Sequence, residues 1–341
     1  MNVFLAPEFA RYYEKHPLVL VDVGAGGGLQ HNWRPASKYL RVIGFEPDDR
    51  AYAELASSQN GSFTYLHTAL HNTSGESPLH LSRKQTVSSM LSPDGHFLAR
   101  FPEAERFEIV QTVCVKVDTL DHQLSENQIH DADFVKLDAQ GAELFILQGS
   151  TATLSNAVFG LEVEVEFVPI YQDQPLFADV DAYLRGFDFQ LFDLRPEYWK
   201  RSLGKDCGGS KGQIIFADAL YFRSPESLLR LLSRIPDAEA RQSKLLRAVS
   251  ICLLYGYADY AMEVLTLAGP VLHPNELEAA LRAVRSSAQP ARRMPDFRGR
   301  RRVANLLYSL WRLFQPTAHP SSSHYDYHGW ATGTTTIGNV D

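Results

Sequence analysis

Cysteine is scarce here: three in 341 residues, Cys114, Cys207 and Cys252, with no Cys-x-x-Cys pair among them. That excludes a disulfide framework and a thiolate zinc site, and it suits a reducing cytoplasm. Apolar runs are short. None approaches the ~18 residues that a membrane-spanning helix needs. The first 16 residues contain Glu8, Arg11, Glu14 and Lys15 with no apolar stretch between them, so no signal peptide is expected. Positive charge is also in deficit. With 33 Lys and Arg against 40 Asp and Glu, the net charge is −7, which argues against a general nucleic-acid binder. Hydrophobic residues are plentiful at 45%, enough for a sizeable core, and the length suggests one large domain with an appendage.

The chain is organised around Leu18–Gly28. Leu18-Val-Leu-Val-Asp22-Val23 reads as a buried strand, Gly24-Ala-Gly26-Gly27-Gly28 as a tight turn, and a helix is expected over roughly 30–39. Glycines there let the backbone take positive φ and approach a ligand closely. A second strand, Arg41–Phe45, ends in Glu46, placed to accept hydrogen bonds from two ribose hydroxyls. Dinucleotide sites want G-x-G-x-x-G, and Leu29 stands where the third glycine belongs. The spacing Asp22-x-Gly24-x-Gly26-x-Gly28 instead resembles motif I of the S-adenosylmethionine-dependent methyltransferases.

Upstream, residues 1–16 read as an amphipathic helix that packs through Phe4, Phe9 and Tyr12 or Tyr13 and stops at Pro17. Downstream, a helix over 48–58 and a strand over 62–67 lead to Thr68-Ala69-Leu70, the end that meets an adenine ring in a methyltransferase. Residues 71–117 break the alternation with two strand-like stretches, 77–82 and 107–117, and read as a β-rich insertion over one sheet edge. Asp118 is expected to cap the next helix.

A second signature spans Asp133 to Gly149. The strand Phe134-Val-Lys136-Leu ends in Asp138, and a glycine turn and a helix with Glu143 in its first turn follow. Lys136 and Asp138 share one face. The next strand, Val158–Val168, puts Glu162, Glu164 and Glu166 on one face and valines on the other. Three unpaired buried carboxylates are costly, so at least one is expected to pair with a base such as Lys136 or to line a polar mouth. A helix (about 176–186) and two closing strands (187–193 and 214–222) complete a sheet with an antiparallel edge.

Taken together, residues 17–223 resemble the FkbM family of methyltransferases. The carrying segments are Val21–Gly28, Gly44-Phe-Glu46-Pro47, Ala69-Leu70 with Ser88-Ser89, Val117–Asp121, Phe134–Glu143 and Asp218–Phe222. Ala139-Gln140 departs from the branched residue and glutamate that family members usually carry. The resemblance implies an α/β fold, a Rossmann-like seven-stranded methyltransferase sheet, and O-methylation from S-adenosylmethionine on a hydroxyl of a polyketide, sugar or lipid-linked glycan. Domain boundaries are expected at 1–223 for the methyltransferase, 224–314 for a helical region, and 315–341 for a disordered tail.

Methyl transfer to a hydroxyl needs alignment and a base. Asp138, at a strand's C-terminal tip, is the first candidate for the base, with helix capping as its structural alternative. Glu162 and Lys136 are further catalytic candidates. Asp22, Gly24, Gly26, Gly28, Glu46 and Ala69 are the cofactor candidates. No spacing among His67, His71, His80 and His96 demands a metal. Alternative readings are an NAD-dependent oxidoreductase and a non-catalytic cofactor-binding scaffold.

Leucines at helical spacing over 224–289 form a helical hairpin expected to pack on the catalytic domain or on a second copy of the chain. Residues 285–312 hold eight arginines and one acid, a local +7 that leaves −14 for the rest. Val303, Leu307, Leu310, Trp311 and Phe314 fall on one helical face beside Arg300-Arg-Arg302. Such a helix either docks on the enzyme or lies on the inner face of a membrane, making the protein peripheral there.

Overall fold

The structure, a computed structural model, describes residues 7–204, 212–287 and 297–314. Helix α1 (Pro7–Lys15) ends before Pro17, and strand β1 (Leu18–Val23) follows with all six residues buried. The next strand is β2 (Leu40–Phe45), then α2 (Asp49–Ala56) and β3 (Phe63–Leu66). The chain then leaves the main sheet through β4 (Ala69–Leu70), β5 (Gly75–Ser82), α3 (Gly95–Leu98) and β6 (Ile109–Asp118). It returns through α4 (Leu120–Glu126) to β7 (Phe134–Leu137), α5 (Glu143–Gln148), α6 (Thr151–Asn156) and β8 (Gly160–Glu166). After α7 (Phe177–Arg185), the long strands β9 (Phe189–Trp199) and β10 (Gln213–Arg223) close the sheet.

The seven-stranded sheet runs β3-β2-β1-β7-β8-β10-β9, and β4-β6-β5 form a separate three-stranded sheet. Strands β3 to β8 of the large sheet pair in parallel, while β10 is antiparallel to both its neighbours. The strand order reverses between β1 and β7, which opens a crevice at their C-terminal ends.

Two expectations fail locally. The segment after the glycine loop is not α-helical: Ala25–Gly27 and His31–Tyr39 are 3₁₀ turns, the second containing Pro35. Proline removes a donor and clashes with the preceding turn, so a regular helix does not propagate. Asp118 does not cap α4. Thr119 does, accepting from the His122 N–H at 3.1 Å, because Asp118 ends β6 and is engaged by Ser74, Gln123 and His122.

Both faces of the sheet are covered. One packs Val21, Ile43, Val135, Leu161 and Val163 against Ile146, Leu147, Val180 and Leu184 of α5 and α7. The other face is covered by α1 together with α8 (Pro225–Ser233), α9 (Ala238–Leu254), α10 (Ala258–Ala268) and α11 (Pro274–Ser287). Leu18, Leu20, Phe134, Phe159 and Phe222 of the strands pack there with Leu228, Leu245, Val249 and Val264 of these helices. The leucine-rich hairpin therefore buries its apolar face against this chain's own sheet.

A buried ion cluster fastens that layer. Lys244 Nζ lies 2.7 Å from Asp131 Oδ1 and 2.8 Å from Asp133 Oδ1, and Arg247 Nε lies 2.9 Å from Asp133 Oδ2. Arg247 also pairs with Asp131, and Asp133 Oδ2 accepts the Val19 N–H at 2.8 Å. Lys244, Arg247 and Asp133 are all buried, so each charge depends on the others.

The last described helix is α12 (Arg300–Phe314), on which Val303, Leu306, Leu307, Tyr308, Leu310 and Trp311 are exposed. The expected disordered tail, Phe4, Cys207 and part of the arginine-rich segment, including Arg292 and Arg293, lie outside the described residues.

Candidate active site

A cavity of about 380 Å³ opens at the C-terminal ends of β1, β2 and β7. Its walls include Gly24, Gly26, Gly28, Glu46, Ala69, Lys136 and Asp138, together with Ser88 and Ser89 of the insertion. Seven of the nine residues proposed from sequence thus face one space. Asp22 and Glu162 stand behind the wall.

The glycine lip is built for close approach. Gly24 has φ +76°, and a Cβ there would sit 1.9 Å from the Asp138 carbonyl oxygen. At Gly26 a Cβ would come within 2.9 Å of Glu46 Oε2, whereas Gly27 and Gly28 face open space. Bare backbone, a facing carboxylate and a volume within the range of small-molecule pockets fit a nucleoside cofactor. Glu46 Oε1 accepts the Asp48 N–H at 2.9 Å. Burial pushes the Glu46 carboxyl up to about 7, although backbone N–H groups favour its charged form.

Behind the lip, strand register sets a row of charges. Asp22 on β1 pairs across to Lys136 on β7, and Lys136 to Glu162 on β8. Lys136 Nζ lies 3.3 Å from Asp22 Oδ1 and 3.7 Å from Asp138 Oδ2. Burial alone would lower the lysine's pKa, but the carboxylates of Asp22 and Asp138 outweigh it and hold the ammonium charged. Glu162 finds its cation elsewhere. Its Oε1 lies 2.8 Å from Arg195 Nη2 of β9, a charge contact without hydrogen-bond alignment, so the expected partner Lys136 is replaced by an arginine from the edge strand.

Asp138 is 38% exposed, and its backbone N–H bonds to Val23 O at 3.1 Å. It does not cap α5. That loop is tied down by Glu143, whose carboxylate accepts the N–H groups of Ala139 at 2.7 Å and Gly141 at 2.9 Å. Burial raises Glu143 to about 7. The Asp138 side chain is instead held by Gln140, whose Nε2 donates at 2.9 Å both to Asp138 Oδ1 and to Glu164 Oε1. Gln140 adopts φ +54°, and Tyr171 Oη lies 3.0 Å from its Oε1. Ser89 Oγ donates to the Gln140 carbonyl at 2.7 Å, so the insertion braces the same loop. Glu164 and Glu166, further along β8, are both raised well above the ordinary carboxylate range, chiefly by burial and then by neighbouring carboxylates.

A glycine lip on β1, an acid closing β2 and an acid closing β7, set around the reversal of a seven-stranded sheet, are what the two sequence signatures and the family resemblance led one to expect. Residues 22–191 match the family model described as the methyltransferase FkbM domain. This chain belongs to the FkbM methyltransferases. Its cofactor is S-adenosylmethionine, and the nicotinamide-linked reading of the glycine loop falls away.

Among solved structures, three distant likenesses are methyltransferases. Magnesium protoporphyrin IX methyltransferase from Synechocystis PCC 6803, with bound S-adenosylmethionine, is 12% identical over 65% of this chain and 82% of that one, with a TM-score of 0.32. An S-adenosylmethionine-dependent methyltransferase from Anabaena variabilis is 15% identical over 66% and 86%, with a TM-score of 0.30. The 1,6-didemethyltoxoflavin-N1-methyltransferase from Burkholderia thailandensis is 13% identical over 64% and 80%, with a TM-score of 0.28. No curated protein matches the chain.

Sequence reasoning missed several residues of this FkbM site. Arg195 gives no local signal: it lies on β9, which runs on to Trp199 instead of ending at residue 193, and it reaches Glu162 past the intervening β10. Tyr171 has no local signature either, since it lies in the loop between β8 and α7. Gln140 was noticed as a departure from the family pattern, but not as the bridge between two acids.

Proposed function

We propose that this FkbM methyltransferase methylates a hydroxyl of a glycan or natural product in the cytoplasm, with Asp138 as the base. The observation that carries the reading is the state of Asp138. Glu46 accepts a backbone N–H and Asp48 is paired with Arg50, whereas Asp138 keeps an exposed carboxylate on the wall beside the glycine lip. An alcohol proton is hardly acidic, so a positioned carboxylate must receive it as the new bond forms.

S-adenosylmethionine supplies a methyl group already activated on a sulfonium. The chain's residues hold and align. Gly24, Gly26 and Gly28 would leave room for the cofactor, Glu46 would accept hydrogen bonds from its ribose hydroxyls, and Ala69 would border its adenine. Lys136 is a positioning residue: its ammonium lies 3.7 Å from Asp138 Oδ2 and is balanced by Asp22 at 3.3 Å.

Product analysis tests this directly. The protein is incubated with isotope-labelled S-adenosylmethionine and a panel of sugars and polyketide alcohols, and the product is examined for its linkage. A methyl ether that survives mild base is expected. A methylated nitrogen or a base-labile methyl ester would replace the hydroxyl reading with another acceptor chemistry.

A further inference from the structure

Helix α12 carries a feature that methyl transfer does not use. Val303, Leu306, Leu307, Leu310 and Trp311 lie within one arc of the helix at 100° per residue, and each is between 38% and 62% exposed. Asn305 and Ser309 lie opposite them. Arg298, Arg300, Arg301 and Arg302 gather at its N-terminal end, and the sequence contains no acid from Phe297 to Phe314. An exposed apolar face of this size marks an interaction site.

We infer that α12 lies on an anionic lipid surface, with its apolar face in the headgroup boundary and its arginines on the phosphates. Charge complementarity selects this occupant. A second copy would bring two acid-free helices together, without the opposite charges that flank a paired helix seam. At 15 residues, α12 is about 22 Å long, too short to cross a ~30 Å hydrocarbon core, so it lies along the surface. Trp311 and Tyr308, with ring centroids 5.7 Å apart, are the residue types that settle at headgroup level. The rest of the chain is acidic, so attraction to an anionic surface is confined to this segment. The inference stands independently of the acceptor's identity.

Co-sedimentation of the full chain with vesicles tests it, using phosphatidylcholine alone or mixed with phosphatidylglycerol. Binding to the mixed vesicles is expected to exceed binding to phosphatidylcholine by at least about tenfold and to fall as salt rises. Leu307→Glu and Arg301→Glu should each weaken it by about tenfold or more, through different terms. Titration with S-adenosylhomocysteine, unchanged in both variants, shows that the fold is intact. Equal binding to both vesicle types, or none, overturns the inference. So does full binding by Leu307→Glu. Self-association of the wild type that Leu307→Glu abolishes, without vesicle binding, assigns the face to a second copy instead.

Discussion

Asp133 and Asp138 bracket the same four-residue strand, Phe134–Leu137, yet they live in opposite conditions. Asp133 is saturated. Two buried cations and a backbone N–H satisfy its oxygens, and water does not reach it. Asp138 is held by one amide, its nearest ammonium is 3.7 Å away, and more than a third of its side chain faces the cavity. The same residue type at the two ends of β7 therefore meets opposite surroundings, which under the proposed function suit two purposes. A carboxylate with every lone pair engaged fastens helices to a sheet, and one left incompletely engaged remains able to take a proton.

Breaking either end should give effects that do not overlap. Asp138→Asn is expected to lower kcat by about 10²–10⁴-fold while leaving S-adenosylhomocysteine affinity nearly unchanged, as steady-state kinetics and calorimetry would show. A loss of cofactor binding instead would make Asp138 a cofactor ligand and not the base. Asp133→Ala leaves the buried Lys244 and Arg247 with only the half-exposed Asp131 and should cost about 3–5 kcal/mol of stability in denaturant unfolding. Activity per folded molecule should survive. If stability is unaffected, the ion cluster is not what holds α9.

Glu46→Ala lies between these extremes and should weaken S-adenosylhomocysteine at least tenfold, or about 1.4 kcal/mol. Its pH dependence has a definite sign. Ribose hydroxyls donate to the charged form, and burial holds the carboxyl at about 7, so wild-type affinity should rise as pH increases through 7 and then level off. The slope should vanish in Glu46→Ala. The smallest effect is expected from Gln140→Glu, which puts a third carboxyl between Asp138 and Glu164. Like-charge repulsion would raise their proton affinities, moving the acid limb of the pH–rate profile upward with a change in maximal rate of about tenfold or less.

The sheet was legible because its strands are short apolar runs broken by glycine and proline, and hydrophobic periodicity is a local signal. Gly24, Gly26, Gly28, Glu46 and Asp138 were legible for a related reason: each sits at a strand end, where position in the sequence sets position in space. Arg195 and Gln140 act through contacts that depend on register and on a loop conformation, and neither has a local signature. Lys244 and Arg247 read as surface charges on a leucine-rich helix, since nothing near them in sequence announces their acidic partners at Asp131 and Asp133. The 3₁₀ turns over His31–Tyr39 run against the surrounding helical pattern because Pro35 interrupts it.

The first helix and the last layer of the fold share one further property, which concerns the order of events at the ribosome. Tyr13 of α1 packs against Ser250 of α9, 237 positions later, and Tyr12 reaches Glu276 of α11. At ~5–20 residues per second, α1 must wait roughly 10–50 s for its neighbours to be synthesised. During that interval Tyr13 can meet Tyr39, whose ring centroid lies 5.4 Å away, but the side of α1 that packs on α9 and α11 has nothing to cover it. The nascent enzyme therefore displays an aromatic helix until its final third emerges, and only then can the face of the sheet lined by Leu18 and Leu20 be sealed.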